Sequence, residues 1–158
     1  MQIHRCARHG DVAGVEREIA RGVSIETPEH PRSLDQYTTL MVAARSPFAS
    51  ADVLAAFVAL GANANAVTAK LGRTPLGVAA KAGYRDRVVR LLELGANPAF
   101  ANEHGYTAVI YAMYGMVWGW ASIYLVRTLL DAGADPNVES WDGTPLQAAS
   151  NNGLFDVV

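Results

Sequence analysis

Cysteine occurs once in the 158 residues, at Cys6, so no intramolecular disulfide can form. A lone thiol suits a reducing compartment, and the expected location is the cytoplasm. The opening stretch, MQIHRCARHGDV, has neither an apolar core nor a small-residue cleavage site and does not read as a secretory leader. No unbroken run of about twenty apolar residues occurs either. The most apolar stretch, Tyr106 to Leu130, is interrupted by glycines and carries Arg127, so no membrane span is expected. Cations are nearly missing from the C-terminal part. Residues 91–158 hold Arg127 alone against seven Asp and Glu, residues 1–90 hold twelve Lys and Arg against eight, and the net charge is −2. A chain with that balance is not a generic nucleic-acid binder. The asymmetry reads first as solvated helix faces, and secondarily as a field that would orient a partner of matching asymmetry.

Patterns that carry chemistry are also missing. His4, His9, His30 and His104 are scattered, and His4 and His9 are five residues apart rather than on one helix face. With no cysteine pair and no carboxylate cluster beside them, they read as surface polar residues and no metal is expected. Glu16 and Glu18 are two apart, hence on different sides of a helix. GRTPLG and LGANAN contain glycine but lack the Lys-Ser/Thr ending of a phosphate loop, and no GxSxG elbow occurs. No enzyme, cofactor or small-molecule substrate is expected.

What is present is a repeat. Half the residues are apolar, alanine is abundant and 14 glycines punctuate the chain, so an ordered, helix-rich protein is expected. The clearest copy is KLGRTPLGVAAKAGYRDRVVRLLELGAN, Lys70 to Asn97. Thr74 can cap a helix whose first turn tolerates Pro75, Gly83 stops it, and a second helix ends at Gly95. Aligned on that threonine, Thr38, Thr74, Thr107 and Thr144 fall 36, 33 and 37 residues apart. Leu40, Leu76, Val109 and Leu146 follow at two positions on, and Ala43, Ala79, Ala112 and Ala149 at five. The leucine column fills the space between copies and the alanine column lets neighbouring helices approach. Gly61, Gly95 and Gly133 close three copies in the phrases GANANA, GANPAF and GADPNV. A degenerate copy precedes them, with Gly10 and Gly22 spaced as Gly83 and Gly95 are. Its first helix is expected to be short, and its many arginines suit a terminal cap.

The period near 33, the TPL phrase, the small residues after it and the LLELGAN ending together resemble the ankyrin repeat over nearly the whole chain. The resemblance implies an all-α solenoid of stacked antiparallel helix pairs with loops or short hairpins projecting as fingers. It organises residues 1–158 as one domain: a cap at about 1–26, repeats at about 34–66, 70–99 and 103–137, and a partial repeat at about 140–158. The family's histidine after TPL is absent, its slot holding Met41, Gly77, Ile110 and Gln147. The finger before Thr38 is long and proline-marked. Repeat one carries two extra residues around Ser46-Pro47-Phe48, and repeat three carries five within MYGMVWGWASIY. The last unit stops at Asp156-Val157-Val158, before the leucines of an outer helix. This predicts a truncated end, a disordered continuation or a partner that covers it.

The family's partners usually dock on the concave side made by fingers and inner helices, so the resemblance implies a protein-binding scaffold. The slot before the threonine holds Tyr37, Arg73 and Tyr106; earlier finger slots hold Lys70, Leu71, Glu103 and His104; Trp141 lies in the last finger; the inner-helix ends add Arg45, Lys81 and Asn151. Tyr, Trp and Arg are the types enriched among binding hot spots. Trp118 and Trp120 in the repeat-three insertion either fill extra core or stand on the surface as anchors beside Met113 and Met116. A basic series (Lys70, Arg73, Lys81, Arg85, Arg87, Arg90) is split between two faces, because Arg87 and Arg90 belong to the outer helix, and so signals nucleic acid weakly. Two rival roles remain open: a regulatory or targeting module of a longer protein, and self-association through an open C-terminal face.

Overall fold

A computed structural model describes residues 2–29, 36–119, 121–151 and 153. The helices among them are α1 (Gln2–His9), α2 (Val12–Ala20), α3 (Thr39–Ala44), α4 (Ala51–Ala59), α5 (Pro75–Ala82), α6 (Arg85–Glu93), α7 (Ala108–Val117), α8 (Ile123–Asp131) and α9 (Pro145–Asn151). The threonine column starts the odd-numbered helices from α3 onward. Thr38, Thr74, Thr107 and Thr144 each accept, on the side-chain oxygen, the amide N–H three residues on. That satisfies one of the donors a helix start leaves unpaired. Pro75 and Pro145 occupy first positions, where a missing N–H does no harm. After the even-numbered helices the chain reverses through Gly61, Gly95 and Gly133, all at positive φ. The cap's first helix is not short: at eight residues it is as long as α5.

Successive odd helices pack on one another to form an inner layer, and α2, α4, α6 and α8 form an outer one, with each pair antiparallel across a tight turn. Leu40, Leu76 and Val109 are at most 1% exposed, in one buried row between repeats. Leu146 breaks the row at 53% exposure. Among the described residues no helix packs beyond α9, so its slot has nothing to fill. Ala43, Ala79, Ala112 and Ala149 are fully buried, as the close approach of inner helices requires. Outer helices contribute Leu54, Phe57, Val88, Leu91, Leu125 and Leu129 to the same core.

Asparagines tie the loops together in place of the family's histidine. Asn65 Nδ2 donates to Gly95 O at 2.9 Å, and Asn97 N donates back to Asn65 Oδ1 at 2.7 Å. Asn102 Nδ2 donates to Leu71 O at 2.9 Å. The fingers are loops, with a single bridge between Ser140 and Gly143 as the β-like element among the described residues.

His4 corrects its reading as a surface residue. It is 1% exposed, and its Nε2 donates to Thr27 O at 2.8 Å, holding the loop after α2 against α1. His9 does lie on the surface, stacked on Phe48 in the two-residue insertion. Cys6 is buried in the cap, and burial pushes its thiol pKa up, which keeps it protonated and inert. His30, much of the proline-marked finger and the terminal Asp156-Val157-Val158 lie outside the described residues.

Candidate functional site: the inner face of repeats one to three

The inner helices and fingers enclose two adjoining hollows. The larger, about 550 Å³, lies between repeats one and two and is walled by Tyr37, Arg45, Arg73, Lys81, Tyr84 and Tyr111. The smaller, about 290 Å³, shares Arg73, Lys81 and Tyr111 and adds Leu71, Asn102, His104, Tyr106, Tyr114 and Trp118. Two columns of the repeat build most of this surface. The slot before the capping threonine supplies Tyr37, Arg73 and Tyr106, and the slot seven residues after it supplies Arg45, Lys81 and Tyr114. Arg45 caps the end of α3 and Lys81 sits in the last turn of α5, where the helix carbonyls favour positive charge.

Around Tyr37 the geometry is tight. The Arg45 guanidinium carbon lies 4.9 Å from the ring centroid and that of Arg73 5.7 Å, so two cations share one aromatic face system. Arg73 Nη1 also donates to Tyr37 Oη in a short contact. Tyr37 itself is 7% exposed, which corrects its placement among projecting finger residues: it is the wall the cations lean on. Tyr111 lies across the boundary of the hollows because Gly77 leaves room for it. A Cβ at Gly77 would meet Tyr111 Cδ2 at 2.8 Å. The histidine slot of repeat two is thus empty of side chain for a packing reason. Burial pushes the Tyr111 phenol pKa up, and the nearby Arg73 opposes that shift.

At the other end, Tyr106 Oη donates to Asp142 Oδ2 at 2.6 Å, and Tyr114 Oη donates to the same oxygen in a shorter contact. The two phenols, Tyr106 foremost, hold the Asp142 carboxyl below its ordinary pKa. Tyr106 is raised chiefly by its bond to Asp142, Tyr114 chiefly by burial and then by Asp142. A lowered carboxyl adds stability above the unfolded value, about pH 4, and loses it as pH falls through the lower folded value. Raised phenols add stability below about pH 10 and lose it as pH rises through their folded values. In melts across pH, Asp142→Asn is expected to flatten the acid edge of the stability profile. The alkaline edge should weaken at Tyr106, whose shift comes chiefly from Asp142, and persist at Tyr114, where burial leads.

Among the described residues of the repeat-three insertion stretch, Met116 and Ala121 pack partly buried against the core and Trp118 stands outside it. Met113 is 5% exposed and packs inward, but Trp118 is 65% and Tyr124 69% exposed, with Val117 and Ile123 beside them on the surface. Trp120 lies outside the described residues. Trp141 is 77% exposed and rests on His104, ring centroids 4.1 Å apart. Its backbone N–H donates to His104 O at 3.3 Å. Of the expected site residues, the hollows bring together Tyr37, Arg45, Leu71, Arg73, Lys81, His104, Tyr106 and Trp118. Lys70, Glu103 and Trp141 are exposed on the fingers outside both linings.

Three contributors escape a column-by-column reading: Tyr84, Tyr111 and Asp142. Tyr111 had a signal, since its column otherwise reads Val42, Val78 and Ala148. Arg87 leaves the basic series altogether. It is 4% exposed and donates to Ala43 O and Ala44 O at 3.2 and 3.1 Å, and to Ala49 O.

The profile of the ankyrin repeats family, in three copies, matches residues 40–140. This chain is an ankyrin-repeat protein. The ankyrin repeats here are also similar to a fowlpox virus (strain NVSL) ankyrin repeat protein, FPV031, with 32% identity over 149 residues, 89% of this chain. The chain spans 40% of that relative's length. Ankyrin repeats are generally protein–protein interaction modules and typically non-catalytic. Among the described residues no helix is long and apolar enough to cross a membrane.

Proposed function

We propose that this ankyrin array is a cytoplasmic scaffold that binds a partner protein through the inner face of repeats one to three. One observation carries the reading: three successive repeats contribute aromatic and cationic side chains to two hollows that open side by side, with Trp118 standing 65% exposed at their edge. Exposed tryptophan beside tyrosine and arginine is the composition of a binding anchor rather than of a solvated face. The surface is held before any partner arrives, because Arg73 is bonded to Tyr37, Tyr106 and Tyr114 to Asp142, and Asn102 to Leu71. Little ordering is then needed on association.

The test is positional. A photo-crosslinking residue is placed at Lys81, on the inner face, or at Arg127, exposed on α8 of the outer layer. Covalent adducts recovered from host cells are expected from position 81 and absent from position 127. Adducts from 127 alone would move the interface to the outer layer.

A further inference from the structure

We infer that the joint between repeats two and three is a hinge, with α5 and α7 as its pivot on the inner side and an unclipped outer edge where α6 faces α8. The earlier joints are clipped by bonds between successive loops. Four residues after the closing glycines Gly22, Gly61 and Gly95 stand Glu26, Asn65 and Ala99. Glu26 Oε1 accepts the Asn63 N–H of the next repeat at 2.7 Å, and Asn65 Oδ1 accepts the Asn97 N–H at 2.7 Å. Ala99 has no side-chain acceptor to offer. The equivalent Asp135 N–H, on an exposed residue, has no acceptor among the described residues. The Arg87 column shows the same break. Arg87 reaches from repeat two to the carbonyls of repeat one, but its counterpart eight residues before Gly133 is Leu125, fully buried and without a polar side-chain atom.

What does cross from α6 to α8 is Arg85 Nε donating to Thr128 Oγ1 at 3.1 Å, in an exposed place where water competes for both groups. Leu91, Leu125 and Leu129 pack in the core beneath it, and apolar contact of that kind has no directional demand. The inner side is different. A Cβ built on Gly115 of α7 would fall 2.6 Å from Lys81 O of α5, and one on Gly77 of α5 would fall 2.8 Å from Tyr111 Cδ2 of α7. Glycine on each helix brings the two closer than other residues allow, and this tight seam is the pivot. Beside it, Asn102 Nδ2 donating to Leu71 O keeps the fingers in register. The two hollows lie on different joints. The first sets Tyr37 and Arg45 of repeat one against Tyr84 of repeat two, across the clipped joint. The second sets Leu71 of repeat two against Tyr106, Tyr114 and Trp118 of repeat three, across the hinge, and Tyr111 at the seam touches both. Turning repeat three about the seam closes the outer gap as it widens the second hollow, and the reverse turn narrows it. The first hollow keeps its shape, and the second adjusts to what enters it.

Two pairs of spin labels test this by double electron–electron resonance, after Cys6→Ala removes the native thiol. The pair at Ala59 and Asp131 spans the hinge and the clipped joint before it, and the pair at Ala20 and Glu93 spans two clipped joints. All four residues are exposed and stand two positions before a closing glycine. Each pair covers two helix spacings of about 10 Å. Expected is a broader distance distribution for 59–131 than for 20–93. Ala99→Asn, which restores the missing acceptor, should narrow the first to the width of the second and leave the second unchanged. Asn65→Ala, which removes a clip common to both spans, should broaden both. Hydrogen exchange gives the matching local result: relative to free-chain rates, the Asn63 and Asn97 N–H should exchange about ten-fold or more slowly than that of Asp135. Ala99→Asn should bring Asp135 into line with them.

Equal widths for the two pairs in the otherwise unsubstituted protein would overturn the hinge. So would Ala99→Asn slowing exchange at Asp135 without narrowing the 59–131 distribution. If Ala99→Asn leaves that exchange fast, Asn65→Ala decides, and no broadening from it would overturn the role given to the loop bonds. These measurements use the protein without a partner, so a rigid joint would leave the inner-face reading standing, and a failed crosslink at position 81 would leave the hinge.

Discussion

Arg87→Ala is expected to destabilise the protein by about 3–5 kcal/mol, lowering the melting midpoint by roughly 10 °C. Arg87 starts from α6, in repeat two, and reaches back into repeat one. There its guanidinium meets the carbonyls of Ala43 and Ala44 at the end of α3, and of Ala49 in the loop before α4. Those carbonyls belong to the class that a helix end leaves without an internal partner. The charge also lies at the negative end of the helix. The Tyr84 ring covers the guanidinium at 3.8 Å, and the side chain is 4% exposed. Burial pulls the Arg87 pKa down, but a guanidinium starts high enough to stay charged. Ala43 O also accepts the Ser46 N–H at 3.1 Å, but alanine would take the guanidinium donor from the Ala44 and Ala49 carbonyls, and an unmet buried acceptor carries a desolvation penalty of about 1–3 kcal/mol. Lysine would keep the charge but lose the fork that spans three oxygens, so Arg87→Lys should recover only part of the loss. Arg85→Ala is the control. Arg85 is exposed and bonds Thr128, so its removal should change the midpoint little. Chemical denaturation followed by circular dichroism separates these three outcomes.

Gly105→Ala should destabilise the fourth finger by about 2–4 kcal/mol. Gly105 has φ 76°, and a Cβ built there falls 2.0 Å from Glu139 O and 2.8 Å from Ser140 Cα. Both are backbone atoms of the next finger, so no rotamer change relieves the collision. The left-handed conformation adds its own penalty for alanine. Hydrogen exchange should show the damage locally: the Trp141 N–H, which donates to His104 O, and the helix Pro145–Asn151 lose protection, while α3 to α6 keep theirs. Gly95→Ala isolates the conformational part, because Gly95 also has positive φ, at 84°, yet nothing lies within 4 Å of its built Cβ. Its effect should be about 1 kcal/mol. If the two substitutions cost the same, the fingers are not in contact at Gly105.

Local chemistry, which a chain carries in its order of residues, decided the architecture. A threonine two residues before the Leu or Val of the packing column starts each helix, a small residue five positions on permits close packing, and glycine after a leucine-rich run turns the chain. Four threonines in register therefore place four helix starts and the rows between them. The threonine, alanine and glycine columns are all found in the roles their chemistry predicts. Periodicity of this kind needs no knowledge of what lies across a gap.

What periodicity cannot carry is the fate of a side chain that reaches beyond its own unit. Arg87 looks like a solvent cation on a basic helix until the carbonyls of repeat one are set beside it. His4 looks like surface until the loop after α2 folds over it, and Tyr37 looks like a finger until Arg45 and Arg73 close on its ring. Trp118 goes the other way: it could as well have filled a core, and at the end of the ten-residue α7 it stands 65% exposed. In each case the deciding partner is about 20–45 residues away or in a neighbouring helix. Sequence order thus determined the repeat and its helices, because caps, turns and packing columns act within a few residues. Tertiary structure alone decided which cations and aromatics line the inner-face hollows, because that choice is made by contacts between copies.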